Sequence, residues 1–328
     1  MWKIGNIEIN SKVVLAPMAG ITSLGYREFM ASFGVDVTVT EMVSDMGLIY
    51  GNRETSEYIA YPKDNYLTGV QLFGHDPVSI AKAAKIALEA NPNISFFDVN
   101  MGCPVPKVVK TGAGSALLQN PKLCGEIIKA IKEATGLPVT AKIRLGWDEK
   151  SINFKEVIKE LEVNGVSAIA IHARTRKEMY LGKPNWDLIK GLRKEMKVPL
   201  IVSGNIYTLD DAIYALNITG ADAVMVARGG VGNPYLITQI TEYYKTGERL
   251  TNPSLQEPIK WCLDLAAYLI KEKGEDRAMR IYRGIASKFF FGFSNVKVIK
   301  ARLSNEIKTR SDLVAILEDI QRDQNIND

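Results

Sequence analysis

Eight short, continuously apolar runs alternate with longer amphipathic stretches over the first 240 residues. The runs are Val13–Ala16, Val35–Thr40, Leu67–Leu72, Ser95–Val99, Val139–Ile143, Ala168–Ile171, Leu200–Val202 and Ala223–Val226. A run without polar alternation is typical of a strand buried on both faces. Eight β-α units in this length predict a TIM (β/α)8 barrel. A doubly wound open sheet is the main alternative.

The stretches between the runs have helical spacing of their apolar residues. The clearest are Pro77–Glu89, Pro121–Ala134, Phe154–Val163, Trp186–Met196 and Leu209–Ile218. Residues 246–258 are rich in Gly, Asn, Ser and Pro, which is typical of a linker. We therefore predict a barrel domain over residues 1–245, a linker over 246–258 and a smaller all-helical domain over 259–328.

Polar residues and glycines follow each apolar run. They are Pro17–Gly20, Glu41–Met42, Gln71, Asn100–Cys103, Lys142–Arg144, His172–Arg174, Ser203–Asn205 and Ala227–Gly230. In a barrel, the carboxyl ends of all eight strands meet on the face that carries the chemistry. The pattern therefore predicts one functional face built from many strand ends.

Cys103 follows the fourth run inside a Gly/Pro-bounded turn and is a candidate reactive thiol. The alternative is a small buried hydrophobic residue, the usual state of a free cysteine. The segments Ser203–Asn205 and Arg228–Pro234 follow the last two strands, where this fold usually binds phosphate. Glycines there let backbone N–H groups approach an anion, although tight turns alone would also need them. A dinucleotide fingerprint does not follow the first strand.

Composition excludes several classes of protein. The three cysteines are far apart and odd in number, which favours a reducing compartment without disulfides. With only two histidines and no Cys/His cluster, we expect no metal site. There is no apolar run of membrane-spanning length and no signal-peptide pattern at the start, so we expect a cytoplasmic protein that does not use a membrane. The net charge of +4 says little by itself.

At this point the sequence resembles the tRNA-dihydrouridine synthases, nearest to the bacterial B-type branch. The motifs that carry the resemblance are Ala16–Gly20, Gln71–Gly74, Asn100–Pro104 with Lys107, Gly112–Leu118, Lys142–Arg144, His172–Arg176 and the two glycine segments. The resemblance implies a TIM barrel that binds FMN tightly, followed by a helical domain that helps to hold tRNA. It also implies NADPH-driven reduction of specific tRNA uridines to 5,6-dihydrouridine.

The resemblance also assigns roles to residues. It implies that Cys103 is the general acid that protonates uracil C5 while reduced FMN delivers hydride to C6. A thiol with an ordinary pKa is mostly protonated at neutral pH and can give that proton. The residues it implies for the cofactor are Pro17, Met18, Ala19, Gln71, Lys142, His172, Ser203, Gly204, Asn205, Ala227 and Arg228. The residues it implies for the substrate are Asn100, Arg144, Arg174, Arg176, Arg283 and Lys288.

Two segments depart from the family pattern. Ser203-Gly204-Asn205 stands where the family usually has Asn-Gly-Asp, and Ala227-Arg228 where it has Gly-Arg. Backbone contacts to a phosphate should survive both changes, because a main-chain N–H does not depend on the side chain. Arg283-Gly-Ile stands where B-type members commonly carry an Arg-Lys-His run, so the residues that grip the RNA are open.

The segment from Arg280 to Arg310 holds eight cations and one acid. Such a stretch beside a flavin barrel favours RNA phosphates as its ligand, although a solvated charged face is the commoner meaning of a charge run. Phe289, Phe290 and Phe293 fall on one side at helical spacing, which predicts core packing. Two other functions stay open: an FMN-dependent dihydropyrimidine or dihydroorotate-type dehydrogenase, and a catalytically silent RNA-binding protein. We expect a monomer, and the sequence does not reveal which uridines are modified.

Overall fold

A computed structural model describes residues 1–52, 57–59 and 66–324. Its main sheet is parallel and has nine strands, in the order β4-β3-β11-β10-β9-β8-β7-β6-β5. The strands are β3 (Val13–Leu15), β4 (Val37–Val39), β5 (Val43–Ser44), β6 (Leu67–Phe73), β7 (Phe96–Met101), β8 (Val139–Arg144), β9 (Ala168–His172), β10 (Leu200–Ser203) and β11 (Ala223–Val226). A further pairing of β4 with β6 closes eight of them into a barrel, and β5 pairs only with the end of β6. The predicted TIM barrel is confirmed.

A hairpin precedes the barrel, formed by β1 (Trp2–Ile4) and β2 (Ile7–Ile9). Trp2, Ile4 and Ile9 belong to the same buried cluster as Phe96 and Met225, which lie on barrel strands. The indole N–H of Trp2 donates to the Ser11 carbonyl, so this buried polar group is satisfied. The apolar part of the barrel interior therefore has its own packed core, which leaves polar side chains for the other end.

Six helices of the barrel region lie within the described residues. They are α2 (Asp45–Ile49), α3 (Pro77–Ala90), α4 (Pro106–Val109), α5 (Pro121–Thr135), α6 (Phe154–Val163) and α7 (Leu209–Thr219). The spacing predicts α3, α5, α6 and α7, whereas the short helices α2 and α4 were not expected. The single helix predicted over Trp186–Met196 is wrong: two short 3-10 turns, Asp187–Ile189 and Leu192–Glu195, occupy that stretch. Gly191 lies between them with a φ of +65°, a conformation that ends regular helix.

Two compact units divide the chain. The first comprises Met1–Thr22 and Val35–Ala227 and contains every barrel strand; the second comprises Ser23–Gly34 and the chain from Arg228 onward. Helix α8 (Tyr235–Thr246) ends before a stretch without helix or strand at residues 247–255, and α9 begins at Gln256. The predicted boundaries at 245 and 258 stay a prediction.

Among its described residues, the second unit contains helices and no strand. Its helices are α1 (Leu24–Ala31), α8, α9 (Gln256–Lys273), α10 (Glu275–Tyr282), α11 (Val296–Asn305) and α12 (Arg310–Asp323). The ring of Phe29 on α1 meets the rings of Tyr268 and Phe289 edge to face. Phe289, Phe290 and Phe293 are all buried, which confirms that these rings belong to the core. Within the described ranges, no helix combines the length and hydropathy needed to cross a membrane.

Candidate active site

The interior faces of β7 and β8 carry much of the polar part of the candidate site. Side chains on a strand alternate between its two faces, so residues two apart share the interior. On β7 the interior sequence is Phe96, Asp98 and Asn100, and on β8 it is Thr140, Lys142 and Arg144. The polar residues therefore collect at the carboxyl end of the barrel, as the sequence predicts.

Asp98 lies at the base of this polar region and is almost completely buried. One carboxylate oxygen accepts from Nε2 of Gln71 at 2.7 Å, and the other accepts from Oγ1 of Thr140 at 2.5 Å. The three residues are register partners on β6, β7 and β8. Burial raises the pKa of the Asp98 carboxyl, while the two hydrogen bonds and the charge of Lys142 oppose that rise. The carboxylate is therefore a buried group with specific partners.

A chain of hydrogen bonds leads from Asp98 to the turn that carries Cys103. Oε1 of Gln71 accepts from Nδ2 of Asn100 at 2.9 Å, and Oδ1 of Asn100 accepts from the Cys103 N–H at 2.8 Å. Because an amide has one donor end and one acceptor end, the carboxylate of Asp98 fixes which way both amides point. Asp98, a buried residue two positions before Asn100 on β7, thus helps to fix the position of the Cys103 backbone.

The other side of Cys103 is held by the segment that follows α4. Its carbonyl accepts from both the N–H and the Oγ of Ser115, at 3.1 and 2.9 Å. Gly114 has a φ of +63°, and a Cβ there would lie 2.8 Å from the Cys103 carbonyl oxygen. A glycine is therefore needed at this position. Of the three cysteines, Cys103 is partly exposed, whereas Cys124 and Cys262 are buried.

Lys142 is the next interior residue after Thr140 on β8. Burial lowers the pKa of its ammonium to about 8, and the neighbouring charge of Arg144 acts in the same direction. Asp98 and Cys103 act in the opposite direction. In the sheet, Lys142 is the register partner of Asn100, which lies between Asp98 and the turn of Cys103 along the chain. Among the described residues, no side chain or carbonyl makes a hydrogen bond or salt bridge with Nζ. Lys142 is partly exposed, so its ammonium is available to a ligand.

Arg144 and Arg174 are buried, and both donate to backbone carbonyls of the loop after β9. Nε of Arg144 donates to the Gly102 carbonyl, and its Nη1 donates to the carbonyls of Thr175 and Met179. Arg174 donates to the carbonyls of Leu181 and Gly182. Both arginines were predicted to contact the substrate. The structure gives them protein partners, and contact with substrate stays a prediction.

His172 ends β9 and lies beside Arg174. Nη1 of Arg174 is 3.1 Å from Nε2 of His172. Arginine has no acceptor atom, so Nε2 must accept this hydrogen bond and carries no proton. Asn205, which has a φ of +49°, also accepts from Arg174 through Oδ1. Arg174 thus fixes the orientation of two residues predicted to hold the cofactor.

The segment after β3 is held by Thr22, which sequence reasoning did not select, and by Glu41, which it named only as a residue at a strand end. The N–H of Met18 donates to Oγ1 of Thr22, and the N–H of Gly20 donates to Oε2 of Glu41. Pro17 and Met18 are partly exposed and Ala19 is exposed, in the segment between the end of β3 and the following turn. Pro17–Ala19 is therefore an ordered backbone segment at the carboxyl end of the first barrel strand.

The remaining predicted residues lie elsewhere. Ser203 is buried at the end of β10, and Gly204 follows it with a φ of +137°. Ala227 is the last residue of the first unit, while Arg228, Arg283 and Lys288 belong to the second. Arg176 is the last of these residues, and its guanidinium lies over the Trp147 ring, 4.6 Å from the ring centre.

One glycine of the second phosphate-binding candidate has a packing role. Gly232 has a φ of +79°, and a Cβ there would overlap the backbone of Lys288. Both residues belong to the second unit. The glycine is needed here because its backbone packs closely against that of Lys288. This is a structural role, like the tight turns that the sequence analysis gave as the alternative to phosphate binding. Lys288 itself is exposed, and Nε of Arg283 donates to the Ile307 carbonyl.

Sequence reasoning missed Asp98, Thr140 and Thr22, and it named Glu41 at a strand end without giving it a role. One signal was available for Asp98: an ionisable residue in the middle of an apolar strand is rarely left buried without partners. The other three become significant only through contacts that connect different strands or turns. Those contacts depend on strand register and turn geometry.

Comparison with known proteins identifies a family. The family model for dihydrouridine synthase (Dus) matches residues 14–325. A "Probable tRNA-dihydrouridine synthase" of Rickettsia conorii is 36% identical over 321 residues, which cover 98% of this chain and 95% of the relative. "tRNA-dihydrouridine synthase B" of Pasteurella multocida is 33% identical over 314 residues, which cover 96% and 94% of the two chains.

Solved structures show the same fold at much lower sequence identity. Morphinone reductase matches with a TM-score of 0.52 and 15% identity, over 78% of this chain and 91% of that one. A 6-hydroxypseudooxynicotine amine oxidase from Pseudomonas geniculata matches with a TM-score of 0.56 and 12% identity, over 96% of this chain and 64% of that one. These likenesses support the barrel alone. The family model and the relatives that match nearly end to end show that the chain belongs to the dihydrouridine synthase family.

Proposed function

We propose that this chain reduces specific uridines of tRNA to 5,6-dihydrouridine, with FMN as its bound cofactor and NADPH as the reductant. The observation that carries the proposal is the juxtaposition of Lys142 and Cys103. A lysine ammonium without a hydrogen-bond partner among the described residues lies on β8 opposite Asn100, whose side chain binds the backbone of the partly exposed Cys103. A binding protein without catalytic activity has no need of this pair. Because tRNA is the proposed substrate, we also propose that the enzyme is cytoplasmic, and we expect it to act as a monomer.

The residues present fit a flavin mononucleotide. Lys142 offers a desolvated cation for the electron-rich N1–C2 edge of the ring system, and Pro17–Ala19 offers an ordered backbone segment beside it. Gly204 and Asn205 form a turn after β10, where this fold commonly holds a phosphate. Bound FMN, once reduced by NADPH, would supply the hydride that adds to C6 of uracil.

Cys103 would complete the reduction by protonating C5. The 5,6 double bond of uracil is conjugated with its C4 carbonyl, so hydride at C6 leaves negative charge that is relieved by a proton at C5. The thiol is held on a backbone that is bonded on both sides, to Asn100 and to Ser115. Such a fixed position favours one face of the base, because general acid catalysis depends on the distance from donor to acceptor.

Lys142 would hold positive charge against the cofactor, and Asp98 supports it in that role. Without Asp98 the burial of Lys142 would lower its pKa further, since the carboxylate opposes the effect of desolvation. A bound anionic group would act in the same direction as Asp98. We therefore infer that the site keeps this lysine charged when the cofactor is in place.

The second unit offers a surface for RNA phosphates. Lys288, Lys297 and Lys300 are exposed, whereas Arg302 forms ion pairs with Glu306 and Asp319. The basic segment is thus divided between residues that stabilise the helices and residues that face solvent. We assign phosphate contact to the exposed lysines, with Arg283 held by its bond to a carbonyl.

The cofactor assignment predicts that the purified protein is yellow and releases FMN when denatured. The reason is that the barrel offers a turn for a single phosphate and lacks a dinucleotide fingerprint. Chromatography of the released flavin distinguishes FMN from FAD. Release of FAD, or failure of cofactor-free protein to take up FMN, would contradict the assignment.

Cys103→Ala should bind FMN and be reduced by NADPH like the parent, and yet form little dihydrouridine. Loss of a general acid typically costs about 10²–10⁴-fold in rate. The measurement is single-turnover reduction of unmodified tRNA, with NADPH-driven flavin reduction followed in parallel. Cys124→Ala is the matched control, because that thiol is buried and donates to the Leu117 carbonyl. Equal tRNA turnover by the parent and Cys103→Ala would show that the thiol is structural.

Lys142→Met should change how the stability of cofactor-free protein depends on pH. The folded pKa is about 8 and the ordinary value is 10.5, so between these values the unfolded chain binds more protons. The parent should therefore gain unfolding free energy relative to Lys142→Met as pH rises from 8 to 10.5, with a constant difference below 8. Denaturant unfolding at several pH values measures this. Lys129→Met, on the exposed face of α5, is the control and should run parallel to the parent.

A parent-to-variant difference that stays constant from pH 7 to 10.5 would show that the Lys142 ammonium is well hydrated. That result would also remove the main argument for a ligand beside it.

Lys288→Gln combined with Lys297→Gln should weaken tRNA binding and leave NADPH-driven flavin reduction unchanged. Each lost phosphate contact should flatten the slope of log affinity against log salt by about 0.7–0.9. Binding titrations at several salt concentrations measure both effects. The control is Lys129→Gln with Lys155→Gln, two lysines in surface ion pairs of the first unit. An unchanged slope in the first double variant would place the RNA elsewhere.

A further inference from the structure

Three consecutive apolar side chains are exposed in the loop that follows β9. Met179, Tyr180 and Leu181 are 38%, 49% and 77% exposed, respectively. The loop lies at the carboxyl end of a barrel strand, and the three residues are five to seven positions beyond Arg174 and seven to nine beyond His172. Single exposed apolar residues are common on protein surfaces, but three in succession beside a candidate active site require a reason.

The backbone of this loop is held from below by the two buried arginines. Arg144 donates to the carbonyls of Thr175 and Met179 at 2.8 and 2.7 Å. Arg174 donates to the carbonyls of Leu181 and Gly182 at 2.8 and 2.5 Å. Hydrogen bonds from a charged donor are about twice as strong as neutral ones. The exposed tip therefore has a fixed shape.

Two further contacts make the shape specific. The Glu178 carboxylate accepts from the N–H and the hydroxyl of Thr175, which closes the start of the loop. Met179 has a φ of +51°, which is uncommon for a residue other than glycine. A backbone conformation of this kind persists where the surroundings impose it. Several buried polar interactions thus hold the backbone that presents the apolar tip.

One side of the tip is apolar and exposed, and the other side contacts residues of the candidate active site. The guanidinium of Arg144 lies 5.4 Å from the centre of the Tyr180 ring, and the His172 ring meets the same ring edge on. Tyr180 therefore rests on residues of the candidate active site, while Leu181 projects into solvent. Exposed Lys177 and Lys183 flank the tip in the chain. This combination of an apolar tip and flanking cations complements a polynucleotide, which presents base faces and phosphates.

The chemistry of the proposed reaction requires such a surface. A reagent can reach C5 and C6 of uracil from above the ring only after the base has left its stack. Proteins that open a stack often place an apolar side chain against the bases that remain. Pre-organisation of that side chain lowers the cost of binding, because little order is lost when RNA arrives.

We propose that Leu181, supported by Tyr180, packs against the base next to the target uridine and helps to hold that uridine out of the stack. The inference rests on the proposed function, since it assigns the loop to the same tRNA substrate. Arg144 and Arg174 are positioning residues for this contact. Their predicted role at the substrate is thereby indirect, through the loop that they hold.

The test compares Leu181→Ser with Val163→Ser. Val163 is 73% exposed at the end of α6, where the chain leads to the opposite end of the barrel. Both variants remove an exposed aliphatic side chain, so effects on general surface properties cancel. The substrate is unmodified tRNA transcript, and the measurements are affinity, single-turnover formation of dihydrouridine and NADPH-driven flavin reduction without RNA.

Leu181→Ser should lower kcat/KM for tRNA about 5-fold or more, because the apolar area that Leu181 buries against the base is lost. Its salt slope should equal that of the parent, because no charge is lost. Leu181→Met should restore most of the activity. Flavin reduction without RNA should be unchanged in every variant, and Val163→Ser should match the parent throughout.

The inference is overturned when Leu181→Ser reduces tRNA as well as Val163→Ser does. A parent enzyme that forms no dihydrouridine on any tRNA is a different result, because it contradicts the proposed function itself. A Leu181→Ser variant with slower flavin reduction would also overturn the inference, since the loop would then act on the cofactor site.

Discussion

A buried carboxylate in the barrel interior sets the arrangement of the candidate active site. Asp98 can stay in this environment because Gln71 and Thr140 donate to it and because Lys142 supplies an opposite charge nearby. Removal of one partner from such a group leaves an unsatisfied buried charge, which is costly. Orientation then passes outward, from Gln71 to Asn100 and from Asn100 to the backbone of Cys103. The same carboxylate thus acts on the cation and, through two amides, on the backbone that carries the thiol.

Two buried arginines form a second layer above this network. Arg144 connects the turn of Cys103 to the loop after β9, because it donates to carbonyls of both. Arg174 connects that loop to His172 and Asn205. Guanidinium groups suit this task because each has several donors in a fixed plane and no acceptor. The loops that follow separate strands are thereby fixed relative to one another.

The barrel could be predicted from the sequence because its strands are short, apolar and evenly spaced. The positions of Gln71, Asn100, Cys103 and Lys142 at strand ends followed from the same pattern. Their hydrogen bonds could not be predicted, since strand register decides that Gln71, Asp98 and Thr140 are neighbours. The helix expected around Trp186–Met196 was wrong because spacing alone does not reveal the backbone conformation of Gly191. The protein partners of Arg144 and Arg174 are also invisible in sequence, because backbone carbonyls carry no residue signature.

The most direct test of the central claim is reduction of tRNA by the purified, FMN-loaded protein with NADPH, read by mass spectrometry of the digested RNA. Each reduced uridine gains two hydrogens and can be assigned to its position in the chain. The account predicts that dihydrouridine appears at specific positions, only when NADPH is present, and that free uracil is not turned over. A protein that takes up FMN and is reduced by NADPH, but reduces free pyrimidines and leaves every tRNA uridine intact, would contradict it.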